Sequence, residues 1–480
     1  MEDLRKKTKL GMFWNVIEKF MSQGIAFVLN IILARLLTPH DYGTIGMLTI
    51  FLTFSNVFID SGFSRALIQK QERTEADFST TLIFNVVVSV LLYFVLYCFS
   101  PLISKLYKTP ELLNLQRVFF LVIIINAFSV VQSAQLQIKV DFKSIAIINT
   151  VSQLVSGICG IIAAYNRLGP WALVIQSLTK ASVSLILLWT IGHWFPKTFF
   201  SFSSFKKLFG FGSKLLFSGI LSTTQNNFTN LVIGKIYSPI TLGYYTRAQQ
   251  FPELASGTLA AVLQNSTFPL LSSLQNNTDD LMQTFKKLMR ITSIIVYPTM
   301  FGLAFLSKPL ILVLLGEKWL PSADLLFWIS LAYVFRPISI LNMNLLNALG
   351  RSDLFLRTDL VKIPLDITMM IITFPIGIRA VVIGYASTAL IYFAINSYYP
   401  GKLFKFGPIR QLKEAWRYIL SSIIMACSLV IINIVVSSAI INLILGIVTG
   451  IFVYTLSLII LRDVEIKILI LKFISIFKRG

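Results

Sequence analysis

Leu33-Ala-Arg-Leu-Leu-Thr-Pro-His-Asp-Tyr-Gly43 returns two hundred residues later as Ile233-Gly-Lys-Ile-Tyr-Ser-Pro-Ile-Thr-Leu-Gly243. The register pairs Arg35 with Lys235, Thr38 with Ser238, Pro39 with Pro239 and Gly43 with Gly243, and it sets Asn30 against Asn230. A second echo, offset by 208, pairs Ser100-Pro-Leu-Ile103 with Lys308-Pro-Leu-Ile311 and Gly169 with Gly377. Each copy is followed by apolar segments long enough to cross a bilayer, and six of them separate equivalent points. An even number of crossings leaves both copies the same way up, so the repeat predicts two lobes related by a pseudo-two-fold axis along the membrane normal, an arrangement used by transporters.

Working outward, apolar runs of about 20 residues punctuated by charge, Gly and Pro predict fourteen spans. They lie near 11–36, 43–59, 79–103, 118–138, 145–165, 171–195, 211–236, 247–271, 290–315, 323–346, 354–376, 379–399, 418–437 and 440–461. The first is too long for a signal-peptide core and is expected to be retained. Composition agrees: of 480 residues 55% are hydrophobic and 13% charged, about half the charged share of a soluble protein. The formal charge of +21 would suggest a nucleic-acid partner in a soluble protein. Placing Lys and Arg on alternate sides of fourteen spans gives 28 on the side of the termini and 10 opposite, so the charge is an orientation signal and both termini are expected in the cytoplasm. No nucleic-acid partner is expected.

The predicted fold is an all-α integral membrane protein of about fourteen helices, with two pseudo-symmetric six-helix lobes around a central cavity and two C-terminal helices. Residues 1–198 form the N-terminal lobe, 199–210 an interfacial linker helix, 211–400 the C-terminal lobe, 401–462 the two additional helices and 463–480 an amphipathic basic tail.

Enzymatic chemistry finds little support. Two histidines and three cysteines supply neither a His-rich metal site nor a disulfide framework. A phosphate loop of the form G-x-x-x-x-G-K-[ST], a G-x-S-x-G elbow and an H-E-x-x-H pair are all absent from the sequence, Gly62-Phe-Ser-Arg-Ala66 resembling the elbow only superficially. The loops are too short to hold an extramembrane catalytic domain.

Polar groups inside spans carry the functional reading, since a charge at the bilayer centre costs about 2.5–3.5 kcal/mol on insertion scales and must face protein or water. Asp359, Lys362 and Asp366 recur at helical spacing in the eleventh span. They are candidates for ion or proton coupling; a ladder that only neutralises itself is the alternative. Asn15, Glu18, Ser22 and Ala26 form a stripe beside Lys19 in the first span, and Ser218, Ser222, Gln225, Asn226 and Thr229 form another in the seventh, Ser22 falling on Ser222 in the repeat. For the hydroxyls, bonding between helices is the commoner use; Glu18, Lys19, Gln225 and Asn226 are read as lining the cavity. Among the cations, Arg35, Lys235 and Arg290 suit snorkelling to headgroups. Lys180, Arg247 and Arg336 are assigned to the cavity, where Arg forks and Lys point charges suit an anion such as a diphosphate. Tyr42, Tyr244, Tyr245, Trp319 and Trp416 are read as an interfacial aromatic belt.

Ile32-Leu-Ala-Arg-Leu-Leu-Thr-Pro-His-Asp-Tyr-Gly43, Gly62-Phe-Ser-Arg-Ala-Leu-Ile-Gln69, Leu242-Gly-Tyr-Tyr-Thr-Arg-Ala-Gln249, Leu315-Gly-Glu-Lys-Trp-Leu320 and Gly350-Arg-Ser-Asp353 resemble the recurring blocks of bacterial polysaccharide flippases. The resemblance is to the Wzx/WzxC-type exporters of the multidrug/oligosaccharidyl-lipid/polysaccharide superfamily. It implies movement of an undecaprenyl-diphosphate-linked sugar repeat unit across the cytoplasmic membrane by alternating access, for capsule, O-antigen or exopolysaccharide assembly. A proton or sodium gradient is the implied drive and no resident cofactor is expected. Membrane lipids surround the protein, and a polysaccharide polymerase and a chain-length regulator are candidate partners. Lipid II or a drug as substrate, and a membrane polymerase or ligase of the same pathway, are the alternatives.

Overall fold

The computed structural model describes residues 21–60 and 63–468, and all the longer regular elements among them are helices. The chain divides into two compact units, Met1–Gly243 and Tyr244–Gly480. The first holds α1 (Met21–Leu36), α2 (Pro39–Asp60), α3 (Phe63–Gln69), α4 (Glu75–Cys98), α5 (Ser100–Leu106), α6 (Leu112–Phe119), α7 (Leu121–Ile138), α8 (Phe142–Tyr165), α9 (Trp171–Gly192) and α10 (Phe202–Ile236). Next comes α11 (Pro239–Ser273), which starts at the end of the first unit and continues into the second. The second unit then has α12 (Thr278–Phe305), α13 (Ser307–Leu314), α14 (Pro321–Tyr333), α15 (Arg336–Ala348), α16 (Ser352–Thr373), α17 (Ile378–Phe404), α18 (Pro408–Val435) and α19 (Ala439–Ile460).

The repeated sequence encodes a helix start. Thr38 Oγ1 and the Thr38 amide both donate to Asp41 Oδ2, at 2.8 and 2.7 Å, and the Asp41 amide returns a bond to Thr38 Oγ1 at 3.3 Å. That reciprocal cap satisfies donors the first turn leaves open, and Pro39, with no N–H to lose, sits inside it. In the second copy the Thr241 amide donates to Ser238 Oγ at 3.2 Å and the two hydroxyls lie 3.0 Å apart. The two helix starts meet within the first unit. A methyl group on Gly43 would overlap the Pro239 carbonyl, and one on Gly243 would overlap the Pro39 carbonyl. Glycine at both positions lets the two backbones approach this closely.

Ten helical stretches among the described residues are long and apolar enough to cross a membrane. Three further long helices on which spans were expected, α10, α11 and α16, lack a sufficiently apolar window. They are the helices that bear Gln225, Asn226, Arg247, Asp359, Lys362 and Asp366, so the polar candidates themselves lower their hydropathy. The stretch read as a linker is continuous with the seventh span: α10 runs unbroken for 35 residues, and Phe205 packs on Phe63 and Phe84 with ring centroids 5.7 and 5.3 Å apart.

The aromatic belt is a correction. Trp319 is fully buried, Tyr245 and Tyr42 are 4% and 5% exposed, and only Trp416, at 46%, has the exposure a belt residue needs. Trp319 stands edge-on to Tyr244 at 6.2 Å, and Ser322 Oγ donates to the Tyr244 carbonyl, so these rings pack protein against protein. The Gly350-Arg-Ser-Asp353 block also has a structural reason: Gly350 takes φ +70°, and Arg351 forks onto both Asp353 oxygens at 2.9 Å. That fork pulls the Asp353 carboxyl down to about 2.

Candidate functional site

The polar centre of the second unit grows from a broken helix. The span Pro321–Ala348 is interrupted near its midpoint, where α14 ends at Tyr333 and α15 begins at Arg336. Pro337 follows directly; it offers no amide hydrogen and disfavours helical geometry at the residue before it. The break sets a phenol and a guanidinium side by side. Arg336 stacks its Cζ 4.7 Å over the Tyr333 ring.

Opposite them stands α11, itself interrupted in its hydrogen-bond ladder by Pro252. Glu253 receives two bonds on one oxygen: Tyr333 Oη donates to Oε2 at 2.6 Å and Arg336 Nη1 donates to the same atom at 2.8 Å. Gln249, one turn earlier on α11, donates its amide to Tyr333 Oη at 3.4 Å. The Arg336 and Glu253 side chains are 41% and 46% exposed. The guanidinium is therefore oriented by its carboxylate and ring while its remaining donors stay accessible. A phosphoryl oxygen is chemically suited to compete with Glu253 for it.

A second arrangement lies on α16. Lys362 Nζ donates to Asp359 Oδ1 at 2.8 Å, whereas Asp366 accepts a hydrogen bond from Tyr392 Oη of α17. The stripe thus divides into an ion pair within α16, its lysine only 17% exposed, and a carboxylate held across the α16–α17 interface. Pro364, two residues before Asp366, removes one backbone donor there. Asp366 also borders a small cavity with Met369, Thr373, Gly384, Tyr385 and Thr388.

The sequence matches the family described as "Polysaccharide biosynthesis protein" over residues 32–324. The chain belongs to that family. Among its relatives it is 25% identical to the teichuronic acid biosynthesis protein TuaB of Bacillus subtilis, over 75% of each chain. It is 24% identical to the lipopolysaccharide biosynthesis protein WzxC of Escherichia coli, over 77% of this chain and 75% of WzxC. In fold it superposes on the inward closed conformation of the lipid II flippase MurJ with a TM-score of 0.76 at 17% identity, covering 95% of this chain and all of that one.

Within this family member the structure gathers some of the sequence candidates and leaves others apart. Arg336 gains Glu253, Tyr333 and Gln249; Asp359 meets Lys362; Asp366 meets Tyr392. Arg247 is on α11 two residues before Gln249, which turns it about 200° away from the Gln249–Glu253 face. Lys180 lies exposed on α9 in the first unit and, among the described residues, has no carboxylate within 4 Å. Gln225 and Asn226 fall on α10, with side chains outside the described ones, and Glu18 and Lys19 fall outside the described residues. Glu253 and Tyr333 escaped selection from sequence. The signal was present, since Gln249 and Glu253 are polar groups one turn apart in a span, but their weight depends on a partner about 80 residues away.

Proposed function

We propose that this protein is a flippase that carries undecaprenyl-diphosphate-linked oligosaccharide repeat units across the bacterial cytoplasmic membrane by alternating access, for capsule, O-antigen or exopolysaccharide synthesis. The fourteen-span arrangement in two six-helix lobes with two added C-terminal helices, both termini cytoplasmic, is part of this reading, as is the absence of catalysis. The observation that carries it is the Arg336 guanidinium, held at a mid-span break by Glu253 and Tyr333 in a member of this family. Arg336 exchanges Glu253 for the diphosphate head when substrate arrives and takes the carboxylate back on release.

Such an exchange gives the loaded and empty states different internal contacts, as a population shift requires. Asp359, Lys362 and Asp366 are the groups through which a proton or sodium gradient biases the cycle. Lys180, Arg247 and the polar groups Glu18, Lys19, Gln225 and Asn226 remain the other cavity candidates of this reading. An apolar groove of about 490 Å3 between α12, α18 and α19, bordered by Leu303, Leu306, Met425, Leu429 and Ile447, supports a lipid-linked rather than a fully polar substrate. A polymerase and a chain-length regulator would receive the product.

The test is leaflet-resolved detection of a labelled undecaprenyl-diphosphate oligosaccharide in proteoliposomes, with and without a proton or sodium gradient. Protein-dependent movement to the far leaflet with no new covalent product is the expected result. Sugar-chain growth without movement would instead assign the protein to polymerisation.

A further inference from the structure

A second polar concavity lies away from Glu253 and Arg336, at the Lys/Arg-rich end of the second unit. There α17 ends, α18 begins and the first turns of α12 pass alongside. The hollow measures about 560 Å3 and is bordered by Asp279, Lys286, Lys405, Arg410, Lys413 and Glu414.

The turn between α17 and α18 is built to hold these cations. Lys405 takes a left-handed conformation, φ +55°, that ends α17 and reverses the chain. Arg410 Nη1 donates to the Lys405 carbonyl at 2.5 Å, and the Phe406 amide donates to the Pro400 carbonyl at 3.3 Å. Buried Gln411 donates to the Phe406 carbonyl at 3.0 Å and exchanges bonds with Asn342. Gly401 and Gly407 let the two strands of the turn touch: a Cβ on Gly401 would stand 2.8 Å from the Gly407 Cα. Lys286 reaches over from α12, its Nζ 5.3 Å from the centre of the Phe406 ring.

The charge balance of the hollow is one-sided. Glu414 is engaged by Arg290, whose Nε donates to its Oε1 at 2.5 Å. Among the described residues, Asp279 is then the one unengaged carboxylate on the rim, facing four cations. Among the described residues, none of Lys286, Lys405, Arg410 and Lys413 has a carboxylate within 4 Å. Cations grouped without partners repel one another and are stabilised by an anion that bridges them. The level in the membrane narrows its chemistry. The first ten residues of α18 carry Arg410, Lys413, Glu414 and Arg417, the apolar run follows, and exposed Trp416 marks the boundary. Phosphate oxygens are the anionic groups abundant at that depth.

We propose that this hollow binds a phosphate-bearing anion at the membrane surface, a site separate from the Glu253–Arg336 centre. Its oxygens accept from Lys286, Lys405 and Lys413 as point charges and from the free donors of Arg410. A lipid headgroup and a soluble phosphate share this chemistry, and the experiment separates them. Full-length protein in detergent is titrated with phosphatidylglycerol, phosphatidylcholine or inorganic pyrophosphate. Thermal unfolding reports the stabilisation by each, and native mass spectrometry counts bound molecules.

Phosphatidylglycerol or pyrophosphate is expected to raise the unfolding temperature, and the Lys405→Gln/Lys413→Gln double variant to weaken that ligand about tenfold or more. A response to phosphatidylglycerol alone makes the source a lipid; a response to pyrophosphate makes it a soluble anion. Asp279→Asn, which removes the opposing carboxylate, is expected to tighten binding several-fold and decides the matter if the double variant does not fold. The proposal is overturned if neither anion stabilises the protein more than phosphatidylcholine does. It is equally overturned if the variants bind as the parent does.

Discussion

Arg336 Nη1 and Glu253 Oε2 lie 2.8 Å apart at the point where the Pro321–Ala348 span is broken, and the same oxygen accepts the Tyr333 hydroxyl. A guanidinium tied to one carboxylate oxygen, with donors to spare, is poised for partner exchange. Arg336→Gln is expected to lower transport of the lipid-linked sugar by about 10- to 100-fold, the equivalent of the 1.5–3 kcal/mol of a charge-assisted bond. Arg336→Lys, which keeps the charge and loses the fork, is expected to fall between the two. Initial rates in the proteoliposome assay decide; unchanged rates for Arg336→Gln in well-folded protein would remove this residue from the transport path.

Glu253→Gln keeps an acceptor for Tyr333 but removes the charge that competes for Arg336. Substrate is expected to bind more tightly and to be released more slowly, so that Km and maximal rate fall together. A rate that falls while Km rises would show that Glu253 instead contacts the substrate productively.

Asp366→Asn is expected to impair transport, and to weaken its dependence on the imposed gradient, without preventing folding. Tyr392→Phe leaves Asp366 without its donor and is expected to cost about 1–3 kcal/mol of stability. Because the two residues share one bond, the double variant should be less destabilised than the sum of the single ones, as thermal unfolding of all four proteins would show. Strict additivity would mean that the Asp366–Tyr392 contact contributes nothing.

Gly43→Ala and Gly243→Ala should each destabilise the first unit by about 3 kcal/mol, at the upper end of the usual cost of overpacking, because the added methyl meets a carbonyl rather than a side chain that can rotate away. Gly24→Ala has nothing within 4 Å of its new Cβ and serves as the control. Comparable unfolding temperatures for all three would contradict the close approach.

Lys70 donates to Asp77 at 2.6 Å, and the Asp77 side chain is fully buried. Lys70→Met strands that carboxylate and is expected to cost about 3 kcal/mol, the low end for a broken buried pair, since Thr74 still donates twice to it. Lys70→Met/Asp77→Asn should recover much of the loss in the same unfolding measurement.

Local chemistry by itself determined a good deal of this protein. Apolar run length located the ten apolar crossing stretches among the described residues, since a span must satisfy its own backbone, and the Thr38-Pro39 and Ser238-Pro239 pairs marked two equivalent helix starts through caps completed within four residues. The repeat and the sequence blocks led to the family. The unexpected features all rest on contacts between residues distant in sequence. Trp319 and Tyr245 read as belt residues because a lipid-facing and a protein-facing ring look alike in sequence, and only packing buries them. Phe205 reads as interfacial until Phe63 and Phe84 meet it and α10 proves continuous. Arg336 was legible as a costly charge, but Glu253 and Tyr333 became its partners only when the break after Tyr333 brought α15 to α11. Lipid tails are as apolar as leucine, so an apolar pattern says that a helix crosses the membrane and leaves its neighbours unspecified. Those neighbours are decided by tertiary packing, and with them the polar centre.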